Sequence, residues 1–277
     1  MFSRKQLVED FDKLGIRAGD IIMVHASVRS VGEVAGGPDQ IHLALKDALG
    51  TSGTLMMYAS CPRYYDEVSR GSLTPEQERE ILEKLPSFDP VTARSARDNG
   101  ALVEFLRTYP RTLVNNHVAR FAVWGKHAGY LVSNQPWNYA YGLNSPLDRF
   151  LKLDGKILLL GCDHDTVTFL HYAEHVADLP GKRVVHYKVP VEKNGQRVWE
   201  DVEEFNTAGD GVHPNWPDRF FAKIVDCLLI QSNNQGGYVG GARTYLLRAR
   251  ELLDCALALM IAVAADPRAA EHLHELA

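Results

Sequence analysis

The chain has 277 residues, 45% of them hydrophobic and 23% charged, with a formal net charge of -5. That length and composition fit a globular protein with a sizeable core, and the acidic balance argues against nucleic acid, whose binders carry a basic stripe. The start lacks the apolar run of a signal peptide, and the one long apolar stretch, LLDCALALMIAVAA, is short for a membrane span and contains Asp254. Cys61, Cys162, Cys227 and Cys255 are widely spread with no C-x-x-C, as expected of reduced thiols in a cytoplasmic protein.

In chain order, residues 1–20 show an amphipathic helix pattern. IIMVHAS (21–27) reads as a buried strand, SVRSVGEVAGG (27–37) as a loop of small residues, and Pro38 opens a helix through PDQIHLALKDAL. GTLMMYAS (53–60) is a second buried strand, and this order predicts a parallel unit with a crossover. The polar stretch 64–90 wraps the surface, NGALVEFLRTYP forms a short helix ended by Pro110, and ARFAVWG (119–125) is another strand. GKILLLGCD (155–163) is the strongest strand signal and leads into the helix TVTFLHYAEHVADL, with Asp165 placed to cap it. RVVHYKVPVEKNGQRVWEDVEEF (183–205) is a hairpin turning at Asn194-Gly195. The stretch GARTYLLRARELLDCALALMIAVAA reads as one helix. Together these elements predict an α/β fold: a single domain over 1–277, with a mixed, largely parallel central sheet flanked by helices, plus a β-hairpin.

The string HYAEH at 171–175 admits three readings. It matches H-x-x-E-H, the inverted zinc-peptidase signature; it could be a metal-free catalytic pair; or it is an ordinary polar helix face. Thr168, His171 and Glu174, spaced by three, share one side of a helix. That face begins just beyond GKILLLGCD, and His25 lies near the end of IIMVHAS. If both strands belong to one parallel sheet, their carboxyl ends meet at the edge where α/β folds bind ligands. One cleft would then hold His25, the loop after it, His171 and Glu174. That set suits acyl transfer to an amine: a neutral imidazole takes the amine's proton, a carboxylate fixes its tautomer, and loop N–H groups bind phosphate or a thioester oxygen. The blander alternatives are a hydrogen-bonded core His25, a solvated His171–Glu174 face, Asp165 as a cap alone, and residues 200–204 as surface decoration.

MVHASVRSVGEVAGGP, GTLMMYAS, FDPVTAR, YGLNSPLDRF, LLLGCDHDTVTFLHYAE, VEEFNT and GARTYLLRARELL occur in this order. The ordered set resembles the aminoglycoside 3-N-acetyltransferase family, the antibiotic N-acetyltransferases outside the GNAT superfamily, from about Leu7 to Ala264. The resemblance implies acetyl-CoA as donor, an aminoglycoside amine as acceptor, and no metal. By position it implies catalytic roles for His171, Glu174, His25 and Thr168. It implies cofactor contacts from Ser27, Val28, Arg29, Ser30, Val31 and Gly32, and from Ser145 and Pro146 within Asn144–Leu147. Asp165, Glu203, Glu204 and Asp210 are the candidate acceptor-binding carboxylates. Arg120 departs from the family pattern, which carries a serine near this point, and a cation beside a polycation site would be awkward. The partners expected are the aminoglycoside and acetyl-CoA, with no nucleic acid and no membrane, on a monomer or homodimer. A zinc hydrolase using HYAEH and a non-catalytic CoA- or antibiotic-binding module are the competing readings.

Overall fold

The computed structural model describes residues 1–207 and 211–273. In chain order the elements are α1 (Arg4–Leu14), β1 (Ile21–Ala26), α2 (Val28–Val31), α3 (Asp39–Leu49), β2 (Thr54–Tyr58), α4 (Pro75–Lys84), α5 (Ala101–Arg107) and β3 (Leu113–Val114). There follow β4 (Phe121–Gly125), α6 (Ala128–Val132), α7 (Pro146–Lys152), β5 (Lys156–Leu160), α8 (Leu170–Val176), β6 (Val184–Lys193), β7 (Gln196–Phe205), α9 (Phe220–Gln231), β8 (Gly237–Val239), β9 (Ala242–Arg248) and α10 (Ala249–Ala265).

Among the described residues, seven strands form one sheet in the order β3-β4-β2-β1-β5-β9-β8, and β6 and β7 pair separately. The sheet is mixed, as expected. β1, β2, β3, β5 and β8 run one way and β4 and β9 the other, so the parallel neighbours are confined to the central β2-β1-β5. Those three strands are covered on both faces, which is why they read as continuous apolar runs rather than alternations. Their pleat still sorts the side chains. Met23, Met56, Ile157 and Leu159 enter the core under α6 to α10, while Ile22, Val24, Leu55, Leu158 and Leu160 enter the one under α1, α3 and α5. A third, smaller core lies under the hairpin, where Tyr187, Val189, Val191 and Val202 meet Cys61, Phe88 and Val118. The hairpin turns at Asn194 (φ 54°) and Gly195 (φ 74°), the two positive φ values that a tight two-residue loop needs.

Three sequence expectations are corrected. GARTYLLR is not helical: β9 pairs antiparallel with β5, Leu160 opposite Thr244 to Lys156 opposite Arg248, and the helix starts only at Ala249. Pairing against the buried β5 outweighs the local helical pattern, as strand preference depends on the neighbour more than on the residue. The loop after β1 contains a helical turn, α2, with Ser27 at its N-cap position. Asp165 caps a different helix from the one expected: its Oδ1 accepts from the amide of Ala222 in the first turn of α9, at 3.0 Å. The short 3-10 turn before α8 is capped instead by Asp163.

Gly161 leaves β5 at φ 62°, where an added Cβ would lie 2.5 Å from the Cβ of Ser30 and 2.9 Å from that of Ala242. Gly161→Ala should therefore lower unfolding free energy by about 1–3 kcal/mol. Urea denaturation checks this; an unchanged midpoint would mean that the β5–α2 contact yields without cost.

Candidate active site

The parallel pairing of β1 with β5 sets His25 opposite Leu159 and Ala26 opposite Leu160, so both carboxyl ends open at one edge. Alternation puts His25 on the Met23 face, the side covered by α8. The two strand ends are pinned together. The Ser27 amide donates to the Leu160 carbonyl at 2.9 Å, and the Cys162 thiol to the His25 carbonyl at 3.3 Å. Ser30 Oγ lies 2.9 Å from both the Gly161 carbonyl and Ser27 Oγ. Its single proton goes to the carbonyl, so Ser27 donates to Ser30. Val28 and Arg29 form the open first turn of α2, Val31 is buried, and Gly32 ends the turn at φ 86°.

On α8, His171 Nδ1 lies 2.8 Å from Glu174 Oε2. The carboxylate is 2% exposed, and its other oxygen accepts from Trp216 Nε1 at 3.0 Å. The Nδ1–H therefore points at the carboxylate and leaves Nε2 as the free lone pair. The ring is held between Tyr141 and Phe221, with centroids 5.2 and 5.0 Å away. His171, Glu174 and Asp165 line an open cleft of about 510 Å³ with Arg183, Trp216, Asp218, Phe220 and Phe221. Arg219 also reaches this cleft but is turned to Asp163, at 2.7 Å.

His25 and the buried Thr168 share a separate narrow cavity of about 80 Å³ with Tyr58, Asn99, Cys162 and Thr166. His25 Nε2 is shielded and has no hydrogen-bond partner. Burial, then the nearby His171, lowers its pKa from 6.5 to about 4. His25 therefore stays neutral at working pH and can share a hydrogen bond, but it does not store a proton.

Other candidates fall elsewhere. Ser145 is fully buried and its hydroxyl accepts from the Leu147 and Asp148 amides; with the buried Pro146 it forms the cap of α7. Glu203 accepts from the Tyr139 hydroxyl at 2.6 Å and lines a shallow depression with His186 and Lys188, apart from the His171 cleft. Glu204 is 2% exposed. Its oxygens take the amides of Ala140 (2.7 Å) and Phe205 (2.8 Å), and His175 Nε2 lies 2.5 Å away. Asp210 lies outside the described residues. Arg120 is fully buried and donates to the carbonyls of Ala59, Pro90 and Arg94, which removes it from the acceptor side.

The geometry does not draw the two HYAEH histidines together. His171 turns to Glu174, whereas His175 gives Nδ1–H to the His171 carbonyl at 2.7 Å and Nε2 to Glu204, so the two rings do not converge on one point. Among the described residues no group of three His, Cys, Asp or Glu side chains is placed to hold a metal. Sequence reasoning missed Trp216, Asp218 and Phe221. The signal available was PNWPD, an indole set between two prolines beside an acid, which marks a rigid aromatic loop.

The sequence model of the aminoglycoside 3-N-acetyltransferase family matches residues 23–261. The chain is 42% identical over 248 residues to aminoglycoside N(3)-acetyltransferase III of Pseudomonas aeruginosa, covering 89% of each. It is 34% identical over 264 residues to aminoglycoside N(3)-acetyltransferase VIII of Streptomyces fradiae, covering 91% of this chain and 89% of that one. Its fold is similar to that of AAC-IIIb solved as a binary complex with CoASH, with a TM-score of 0.86 at 38% identity over 92% and 94% of the two chains. It is equally similar to AAC-VIa bound to sisomicin, with a TM-score of 0.86 at 34% identity over 94% and 98%.

Two tests follow from this geometry. Removing the carboxylate in Glu204→Ala leaves a buried His175 unpaired and should cost about 3–5 kcal/mol of stability. In the milder Glu204→Gln the acceptor KM should stay at the wild-type value, and a raised KM would return Glu204 to the binding surface. His25 and His117 are both lowered from 6.5 to about 4, chiefly by burial. Each group's contribution is intact above pH 6.5 and is lost as pH falls toward 4, because the unfolded chain takes up the protons first. Thermal midpoints measured from pH 7 to 4 should fall through that window, and a flat profile would contradict the assignment.

Proposed function

The chain belongs to the aminoglycoside 3-N-acetyltransferase family, and we propose that its chemistry runs through the His171–Glu174–Trp216 array. It is an acetyl-CoA-dependent enzyme that acetylates the 3-amino group of the 2-deoxystreptamine ring of aminoglycoside antibiotics and so confers resistance. One observation carries the residue assignment: His171 keeps Nε2 free at the cleft while Nδ1 is tied to a buried carboxylate that Trp216 in turn holds.

The acceptor arrives as an ammonium ion and must first lose one proton to solvent before its nitrogen can attack. His171 Nε2 takes a proton from the amine as the nitrogen bonds to the thioester carbonyl carbon. The carbon–sulfur bond then breaks, the acetyl group stays on nitrogen as an amide, and the CoA thiolate receives the proton. Glu174 holds the imidazole in the tautomer that leaves Nε2 basic and steadies the imidazolium that forms. Trp216 is a positioning residue acting through Glu174.

The narrow cavity of His25 and Thr168 is scaled to an acetyl group rather than a sugar ring. Neutral His25 gives or accepts a hydrogen bond there, which leaves His171 as the proton acceptor. The pantetheine arm lies along residues 27–32, where Val28 and Arg29 open the turn after β1. Asp165 and Asp218 form the acidic wall for the aminoglycoside ammonium groups, with Trp216 and Phe221 under the sugar rings. Carboxylates in such a wall raise the local concentration of a polycation. A cytoplasmic location fits the reading, since acetyl-CoA is available there.

His171→Ala is expected to lower kcat/KM by ~100- to 10,000-fold with CoA binding retained. Glu174→Gln should lower kcat more than it raises either KM. Steady-state kinetics on folded variants decide this: near wild-type turnover in His171→Ala would remove His171 as the base. Absence of acetyl-CoA turnover in the wild type would favour a binding module.

A further inference from the structure

A second cleft of about 530 Å³ opens at the other end of the central strands from His171. It lies where β2 begins and β4 ends, Thr54 opposite Gly125, and is walled by the last turns of α3. Lys46 on α3 forms part of this wall, yet it is 6% exposed and its Nζ is shielded with no hydrogen-bond partner. The ammonium lies over the Tyr109 ring, 3.3 Å from its centroid, and 4.9 Å from that of Trp124. Ring faces replace only part of the hydration an ammonium loses on burial.

The surrounding charges do not make up the difference. Asp47 is held by Arg4 through two contacts of 2.6 Å. Asp39 lies 3.7 Å from His42, whose ring packs edge-on against Tyr109. Arg111 and Lys126 line the same cleft, are exposed, and form no ion pair among the described residues. Burial, then the guanidiniums of Arg111 and Arg4, lower Lys46 from 10.5 to about 7. Lys46, Arg111 and Lys126 thus line one concave space with two aromatic rings, and the carboxylate in that lining, Asp47, is already paired with Arg4.

We propose that this cleft is a second, non-catalytic site that binds a small phosphorylated anion, with the phosphate held by Lys46, Arg111 and Lys126. Several cations facing one space suit a dianion with three equivalent oxygens better than a monocarboxylate. Tyr109 and Trp124 supply a surface for any ring attached to the phosphate. The proposal stands independently of the His171 assignment.

Calorimetry on the full chain tests it, with inorganic phosphate, adenosine monophosphate and inorganic sulfate as probes, and Lys46→Met and Arg111→Ala as variants. Methionine keeps the length of the side chain and removes the buried charge, so a thermal midpoint at or above that of the wild type is expected. Phosphate should bind with a Kd of about 1 mM or tighter, weakened about tenfold or more in Lys46→Met. Tighter binding of adenosine monophosphate would add ring stacking to the phosphate contact, and equal binding would leave phosphate alone as the recognised group; either supports the site. Sulfate keeps its charge from pH 6 to 9, and His42, lowered to about 4 chiefly by burial, stays neutral there. Sulfate affinity should then fall above pH 7 as Lys46 loses its proton, and Lys46→Met should abolish that dependence. No binding of any probe at about 10 mM, or wild-type affinity in both variants, overturns the proposal. So does a raised acetyl-CoA KM in Lys46→Met, which would make the cleft part of the donor site.

Discussion

The parallel pairing of β1 with β5 is the constraint on which the active site rests. These strands are far apart in the chain, and nothing local requires them to meet. Once they pair, His25 at the end of one and the chain that leads to His171 at the end of the other open on the same edge. Both strands are buried on two faces, so a one-residue slip would put His25 under the opposite core and break the apolar match. Gly161 and the Ser30 hydroxyl then lock the short helix after β1 against the end of β5. The edge is rigid because the sheet beneath it is.

A second level of organisation lies in α8. Its two histidines sit one turn apart and face different surroundings. His171 borders the cleft and shares a buried carboxylate with Trp216; His175 is sealed between α8 and the hairpin by Glu204. One helix turn therefore separates a residue that borders the cleft from one that ties the hairpin to the helix. The His175 Nδ1 bond to the His171 carbonyl joins the two functions through the backbone. A buried carboxylate paired with a histidine is costly to disrupt on either side, which favours a fixed α8 under the cleft.

Electrostatics divides the molecule in a similar way. Asp165, Glu174 and Asp218 line the His171 cleft together with Arg183 and Arg219, and Lys46, Arg111 and Lys126 line the cleft at the far end of the same strands. The net charge of -5 conceals this separation. Arg120 lines neither cleft, being fully buried against three carbonyls.

Much of the architecture was legible in the residues themselves. The runs IIMV and ILLL require strands covered on both faces, Asn194-Gly195 specifies a tight hairpin turn, and the spacing of His171 and Glu174 places them on one side of a helix. These are short-range properties, set by pleat, turn and helical period. The strand β9 was hidden within an apolar run because its conformation is imposed by β5 rather than by its own residues. The faces of Glu203 and Glu204 were equally hidden, since two carboxylates on each side of β7 leave the alternation symmetric until the hairpin docks. Asp165 and Trp216 gain their partners only when α9 packs on the turn before α8 and the loop before α9 meets Glu174. Local sequence determines what each segment is able to form; which carboxylate meets water and which meets a buried histidine is a property of contacts between segments distant in the chain, and only tertiary packing decides them.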